Sequence, residues 1–431
     1  MMKFMIISTI MLMMPGSIQM LISILLAFMM FLSMNMYNMC NYQNIFNMDM
    51  ITLSLIILTL WVTKLMVFSQ FNSLMKNSIY NMFFILYLSL LLSFSTTNMF
   101  MFYFFFEWSL IPIFLIILGW GYQMERFKAS LYLFFYTMFA SLPLLLTIMM
   151  MSFYSPTMYN LCFLNPNFFM KNMFNLTLIL AFLVKFPMFL VHQWLPKAHV
   201  EAPVGGSMIL AGILLKLGGY GIIRLSPILN PSSIMNNLMV LSCLGGGLLG
   251  IVCTSHSDMK VIIAYSSVVH MAFIILGVLS YSMWGVSGAM MMMISHGICS
   301  SGMFSCANMM YERSHSRNIL SNKGFINLFP SLAIMWFMLC MANFGGPFTY
   351  NLISEIILIV NLNLLTSPLI VSVILISFFS AAYNLILYSN TQQGSLINSI
   401  HSFNMFNSRE LIVLLSHIFP LIFISMSPMM I

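Results

Sequence analysis

Apolar runs of about 20 residues, the length that crosses a hydrocarbon core as a helix, follow one another along nearly the whole chain. This leaves few ways to fold. In lipid every backbone N–H and C=O must be paired inside the protein, and only helices and closed barrels achieve that. Barrel strands would read as segments of about 10 residues with alternating polarity, whereas these runs are long and uninterrupted. Among 431 residues there are 15 Lys and Arg and 8 Asp and Glu. So little charge cannot solvate an exterior, which excludes a soluble enzyme, a nucleic-acid binder and a secreted disulfide scaffold. The chain reads as an all-α polytopic membrane protein.

Cutting at polar, Pro and Gly clusters places spans near 3–14, 18–36, 51–69, 79–96, 99–117, 127–152, 174–195, 204–223, 237–254, 261–280, 284–311, 331–359, 368–389 and 410–428. These fourteen spans group as 1–78 (helices 1 to 3), 79–225 (helices 4 to 8), 236–390 (helices 9 to 13) and 408–431 (helix 14). An even number of spans puts both termini on one side, with Lys3, Lys171 and Arg224. Opposite them fall Lys76, Arg126, Lys128, Lys197, Lys260, Arg313, Arg317, Lys323 and Arg409, so that side faces the cytoplasm or matrix. Lys64 lies near the basic-side end of its span and is expected to snorkel, with no further role. The segment after Lys3 lacks the cleavage site of a signal peptide, and no Arg- and Ser-rich presequence indicates import.

Three residues break the apolar rule in mid-span: Glu107 in FYFFFEWSLIP, Lys185 in LILAFLVKFPMFL and Lys216 in MILAGILLKLGGYG. A charge at a helix centre costs roughly 2.5–3.5 kcal/mol even on a lenient insertion scale, so it needs a partner, a wet cavity or a function. At about 1.5 Å per residue these three lie roughly 12, 16 and 18 Å into their spans, and His270 and His296 roughly 14 and 18 Å, in a core about 30 Å thick. A straight pore would spread its polar groups over depth; five at one depth suggest a row in the membrane plane. Two spans also carry breaks, at Lys185-Phe186-Pro187 and at Asn343-Phe344-Gly345-Gly346-Pro347, the second before Glu355. Broken helices at the midplane mark transport sites, often once in each half of an inverted repeat. Glu355 fits the depth count only if its span is unwound at the break.

Each residue has a plainer reading. Glu107 as an ion pair would merely tie helices together; near a lysine it would also govern release of the lysine proton, with Lys185 its partner and Lys216 the next carrier. His270 and His296 follow small polar residues, and imidazole transfers protons near neutrality. His192, His199 and Glu201 in HQWLPKAHVEAP have no metal-ligand spacing, and a helix corner with hydrogen-bonded histidines is the simpler account. Cys40, Cys162, Cys243, Cys253, Cys299, Cys306 and Cys340 form no CxxC pair and read as small core residues. The 48 Met stand in for Leu and Ile in every run, as codon bias in an AT-rich organelle genome would produce. Gly245-Gly246-Gly247 lies in an apolar span without a phosphate-loop pattern and is expected to pack helices; no dinucleotide fingerprint occurs.

FFFEWSLIP, WGYQMERFKASLYLFFYTMFASLPLL, VKFPMFLVHQWLPKAHVEAPVGGSMILAGILLKLGGYGIIR and IAYSSVVHMAFIILG closely resemble the chain 4 family of mitochondrial NADH:ubiquinone oxidoreductase. The resemblance implies an antiporter-like, proton-translocating subunit in the membrane arm of respiratory complex I, with fourteen helices, two inverted five-helix repeats at 79–225 and 236–390, and two broken helices. It gives Glu107 as the carboxylate paired with Lys185 of the first broken helix, Lys216 as the connecting lysine, His270 and His296 as bridging histidines, and Glu355 as the terminal residue of the second. Sister chains 2 and 5 are expected to carry Lys at that last position. The family's second break usually has two prolines and a Gly before the Glu; here Phe348 follows Pro347 and Ser354 precedes Glu355. Also implied are no cofactor on this chain, with NADH, FMN, iron-sulfur clusters and ubiquinone in other subunits. Chain 2 and chain 5 subunits and lipids such as cardiolipin are the expected partners, and nucleic acid is not. The expected location is the mitochondrial inner membrane, multi-pass and organelle-encoded, with both termini on the intermembrane-space side. The alternatives are a subunit of a multi-subunit cation/proton antiporter, or a structural membrane-arm subunit without transport.

Overall fold

The structure, a computed structural model, describes residues 49–70, 76–154, 172–229, 233–365, 369–395 and 406–426. The spans expected near 3–14 and 18–36, with Lys3, Cys40, Cys162 and Lys171, lie outside the described residues. Within them the chain is helical without a strand; Asp258 and Asn318 form an isolated bridge. The helices are α1 (Met50–Ser69), α2 (Lys76–Ser95), α3 (Met99–Trp108), α4 (Leu110–Trp120), α5 (Arg126–Tyr154), α6 (Asn172–Lys185), α7 (Trp194–Glu201), α8 (Val204–Ile209) and α9 (Leu215–Leu225). They continue as α10 (Ser233–Ser255), α11 (Met259–Leu279), α12 (Met283–Ser314), α13 (Phe325–Leu328), α14 (Pro330–Asn343), α15 (Tyr350–Leu365), α16 (Ile370–Gln392) and α17 (Ser408–Met426). Among the described residues nine helical segments are long and apolar enough to cross a membrane, and a tenth if the pair Leu320–Leu328 and Pro330–Asn343, bent by 118°, counts as one. That bend, at the Phe329–Pro330 junction, lies just before the span expected from 331.

The spans keep their polar residues without violating the lipid rule because the hydroxyls turn inward onto their own helix. Thr59 donates to the carbonyl of Ile56 at 2.7 Å, Ser93 to that of Leu90 at 2.8 Å and Ser267 to that of Ala264 at 2.6 Å. Each such bond satisfies a donor that hydrocarbon would leave unpaired.

The described residues divide into two compact units, one drawn from Met1–Phe186, Glu201–Ile209 and Ile213–Ser232, the other from Pro187–Val200, Leu210–Gly212 and Ser233–Ile431. In the first unit, small residues admit bulky neighbours: a Cβ on Gly221 would enter the ring of Phe182, and one on Gly218 would stand 2.9 Å from the carbonyl of Phe182 and the amide of Phe186. Close helix approach of this kind replaces the hydrophobic driving force that lipid removes. In the second unit, Gly245 receives the ring of Phe189, and a Cβ on Gly246 would come 2.9 Å from that of Ala272. The glycine triplet therefore packs helices, as its sequence context suggested.

Charge gathers at helix ends. Arg224, at the end of α9, pairs with Asp49 before α1 at 2.6 Å. In the second unit Arg313, in the last turn of α12, reaches Glu410 in the first turn of α17 at 2.6 Å, with both side chains almost wholly buried. The Arg313 guanidinium also lies over the rings of Phe329 at 5.0 Å and Phe406 at 5.7 Å. Removing one partner of such a pair strands a buried charge, at about 3–5 kcal/mol, whereas removing both costs far less. Arg313→Met is therefore expected to lower the thermal stability of the protein in its native assembly, and Arg313→Met with Glu410→Leu to recover most of it, as read by thermal unfolding of both.

Candidate functional site

The first break follows from Pro187, which has no N–H and disfavours helical geometry in Phe186 before it. Helix α6 stops at Lys185, the chain passes Leu190 at φ +83°, and helix resumes at Trp194. Lys185, buried, is thus the last residue of a helix whose terminal carbonyls carry partial negative charge. Its Nζ donates to the carbonyl of Phe106 at 2.9 Å and approaches Ser109 Oγ at 3.4 Å, and it stands 3.3 Å from the centroid of the Phe106 ring. Those acceptors sit where α3 gives way to α4 at Ser109, three residues before Pro112, which has no N–H for the carbonyl of Trp108.

Glu107 is the next residue on α3, with Ser141 of α5 as a polar neighbour and Lys185 within electrostatic reach. Among the described residues no ion pair within 4.0 Å joins Glu107 to Lys185, so the lysine is held by a carbonyl and a ring face with the carboxylate nearby. Lys216, fully buried on α9, comes just after a π-helical turn at Leu210–Leu214. Such a turn inserts a residue, rotates the helix beyond it and recurs at functional sites. Two residues on, Gly218 rests against the backbone of Phe182 and Phe186, the turn that carries Lys185.

The second break joins α14 to α15. Gly345 has φ +70° and Phe348 φ +64°, while Gly346 N–H donates to the carbonyl of Met341 at 2.8 Å. Asn351 donates to the carbonyl of Ala342 at 2.6 Å, and Asn343 to Asn384 Oδ1 of α16 at 3.0 Å. The departure at Phe348 has a structural counterpart: proline fixes φ near −65° and could not occupy that position as built. Glu355 lies one turn into α15, and a Cβ on Gly345 would come 2.7 Å from its Oε2. Because the span is broken, counting along a straight helix does not apply. Glu355 Oε1 stands 3.7 Å from Nδ1 of His270 on α11, whose ring centroid is 5.3 Å from that of His296 on α12. Both histidines are fully buried, and 8% of Glu355 is exposed.

The six residues singled out from sequence thus fall into two clusters, Glu107, Lys185 and Lys216 in the first unit, and His270, His296 and Glu355 in the second. The other histidine motif is dispersed. His192 stacks on Phe189 at 5.8 Å, His199 stacks on Phe304 at 4.6 Å, and Glu201 accepts from the backbone N–H of Gln123 at 3.2 Å. Among the described residues no three His, Cys, Asp or Glu converge as a metal site. Cys243, Cys253, Cys299, Cys306 and Cys340 are buried free thiols. Lys64 corrects an expectation: it does not snorkel, because its Nζ is enclosed by protein, with no hydrogen-bond partner among the described residues.

Comparison with known proteins fits this geometry. Residues 96–382 match the family described as NADH:quinone oxidoreductase/Mrp antiporter, TM, and residues 1–97 match NADH-ubiquinone oxidoreductase chain 4, amino terminus. The chain is 45% identical over 387 residues to NADH-ubiquinone oxidoreductase chain 4 of Ceratitis capitata, covering 88% of this chain and 86% of that one. It is 43% identical over 400 residues to that of Aedes aegypti, covering 91% and 89%. Its fold is similar to a chain of respiratory complex I from Thermus thermophilus with bound NADH, at TM-score 0.84 and 22% identity over 96% of this chain and 92% of that one. It is also similar to a chain of the Mrp complex from Dietzia sp. DQ12-45-1b, at TM-score 0.79 and 15% identity over 89% and 82%. Helix breaks that expose backbone carbonyls to buried lysine and carboxylate, with matches over nine-tenths of the length, lead to one conclusion: the chain belongs to the NADH-ubiquinone oxidoreductase chain 4 family.

Proposed function

We propose that this chain is a proton-translocating subunit in the membrane arm of respiratory complex I, where NADH oxidation and ubiquinone reduction take place in other subunits. The observation that carries the proposal is the buried line of His296, His270 and Glu355, closed at a helix break whose glycine leaves room for the carboxylate. Carboxylate and imidazole exchange protons readily near neutrality, and a protein has little other reason to bury all three in a span.

In this reading Lys185 holds the first proton. The Phe106 carbonyl, the end of α6 and the nearby Glu107 carboxylate all attract its positive charge, so moving or neutralising Glu107 weakens that hold. Lys216 receives the proton next, and His270, His296 and Glu355 form the later segment of an in-plane relay. The catalysis is that of a translocase, and NADH, FMN, iron-sulfur clusters and ubiquinone belong to other subunits. Sequence order and paired breaks support fourteen helices, with inverted repeats at 79–225 and 236–390 and a last helix at 408–431. Partners are the other membrane-arm subunits, the antiporter-like chains 2 and 5 among them, and anionic lipid such as cardiolipin. The location is the mitochondrial inner membrane, with both termini on the intermembrane-space side.

A second reading, a subunit of a multi-subunit cation/proton antiporter, draws on the likeness to the Mrp complex chain. The 45% identity to a chain 4 protein, against 15% there, favours the first. A structural subunit without transport would not explain six buried ionisable groups.

Lys216→Met in the assembled complex is expected to slow coupled NADH oxidation and proton pumping by roughly tenfold or more, as raising one transfer barrier by about 1.4 kcal/mol would do. Unchanged pumping and oxidation together would remove Lys216 from the relay. Gly345→Ala places a Cβ in a left-handed conformation that costs about 1–2 kcal/mol and against the Glu355 carboxylate. It is expected to reduce pumping toward the level of Glu355→Gln; the proton-to-NADH ratio in sealed vesicles reports both.

A further inference from the structure

Glu355, Leu358 and Asn361 lie on one inclined row of α15, since residues three apart follow a ridge of the helix surface. The row docks along α11. Glu355 faces His270, Leu358 faces Gly277, and Asn361 reaches Ser280 beyond the end of α11. The side chains change character abruptly along the way. Leu358 is fully buried, and a Cβ placed on Gly277 would collide with its Cδ2, while one on Gly288 of α12 would come 3.0 Å from the same atom. Ile274, one turn beyond His270 on α11, is also fully buried.

Past this apolar stretch comes a closed polar knot. Ser282 Oγ donates to Asn361 Oδ1 at 2.5 Å, Asn361 Nδ2 donates to Ser280 Oγ at 2.8 Å, and Ser280 Oγ donates to the carbonyl of Gly277 at 2.7 Å. Ser282 also caps α12 by accepting from Gly285 N–H at 3.0 Å, and a Cβ on Gly285 would lie 2.7 Å from Asn361 Nδ2. The loop holding this knot is at the protein surface: Ser280 and Ser282 are part-exposed, and Met283 and Trp284 beside them are strongly exposed. Capping of α12 needs Ser282 alone. It does not call for a buried Asn361 on another helix, nor for two glycines on either side of one leucine.

We infer that Leu358, wedged between Gly277 and Gly288, is a dry gate between Glu355 and the Ser280–Ser282–Asn361 knot, and that a proton held on Glu355 leaves the subunit through it to water at the α11–α12 loop. This rests on the relay reading above. Hydrophobic constrictions block water and protons by dewetting, and Leu358 fills the space that the missing side chains of Gly277 and Gly288 leave. When the gate wets, the Glu355 carboxyl gives its proton to an incoming water. The hydronium passes outward along the hydroxyls and amide of the knot, and the carboxylate left behind is reloaded from protonated His270. Closure before reloading keeps the outer water from re-protonating Glu355.

The test uses the assembled complex in sealed vesicles. Leu358→Ser, which wets the plug, is expected to raise the passive proton leak in the absence of NADH at least severalfold and to lower protons pumped per NADH. The leak should disappear in Leu358→Ser with Glu355→Gln. Asn361→Leu, which dries the outer side, is expected to slow pumping without any leak. If Leu358→Ser does not assemble, Leu358→Ala and Asn361→Leu supply the same two readouts. Vesicles as tight and as well coupled as the unaltered complex, a leak that persists in the double variant, or unimpaired pumping in Asn361→Leu would each overturn the gate. Glu355→Gln separates the two ideas. If it abolishes pumping while the Leu358 and Asn361 variants change nothing, the relay stands and this exit falls; if it leaves pumping intact, the relay itself fails.

Discussion

Hydrocarbon solvates neither a charge nor an unpaired backbone carbonyl, and much of this structure can be read as two such liabilities made to cancel. A helix broken in mid-membrane exposes carbonyls; a lysine in mid-membrane needs acceptors. Lys185, at the first break, donates to the carbonyl of Phe106 on α3 at 2.9 Å, with the Phe106 ring face beside its Nζ. Lys185 therefore sits near Glu107 without being locked to it, which suits the proposed transfer, since a closed buried ion pair would hold the charge in place.

The second break solves the same problem with neutral groups. Asn351 takes the carbonyl of Ala342, and Gly346 N–H takes that of Met341. No cation is used, so the carboxylate of Glu355 is left over, packed against the one backbone position whose missing Cβ makes room for it. The two breaks are alike in backbone logic and opposite in charge. In the proposed relay, the lysine at the first break is the donor and the carboxylate at the second the final acceptor.

The sequence made the helical architecture plain, because long apolar runs with almost no charge admit no other fold, and it marked both breaks through Pro187 and the Gly345-Gly346-Pro347 run. What it concealed depended on shape in three dimensions. The π-helical turn at Leu210–Leu214 lies in an ordinary run of Leu, Ala and Ile whose one irregularity is Gly212. Glu355 seemed misplaced in depth because a residue count assumes a straight helix. Lys64 was read as snorkelling from its distance to a helix end, but enclosure of its Nζ depends on neighbouring helices that one span does not specify. The Leu358 wedge was out of reach altogether, since a leucine in an apolar run gains its meaning from Gly277 and Gly288 on two other helices.

The distances within the second cluster carry a last consequence. Proton transfer needs heavy atoms within about 2.6–3.2 Å of each other, directly or through one water. His270 Nδ1 and Glu355 Oε1 are 3.7 Å apart, close enough for attraction and too far for transfer at rest. The gap is under about 1 Å beyond that reach, so a small rotation of the Glu355 side chain or of the first turn of α15 closes it. That turn follows the broken backbone of Gly345 and Phe348, where the Asn351 side chain donates to the carbonyl of Ala342. A break that merely made room for a carboxylate could have been rigid. In the proposed relay, a carboxylate left just short of His270 makes transfer depend on conformation, and a pump needs that dependence to keep loading and release from occurring at once.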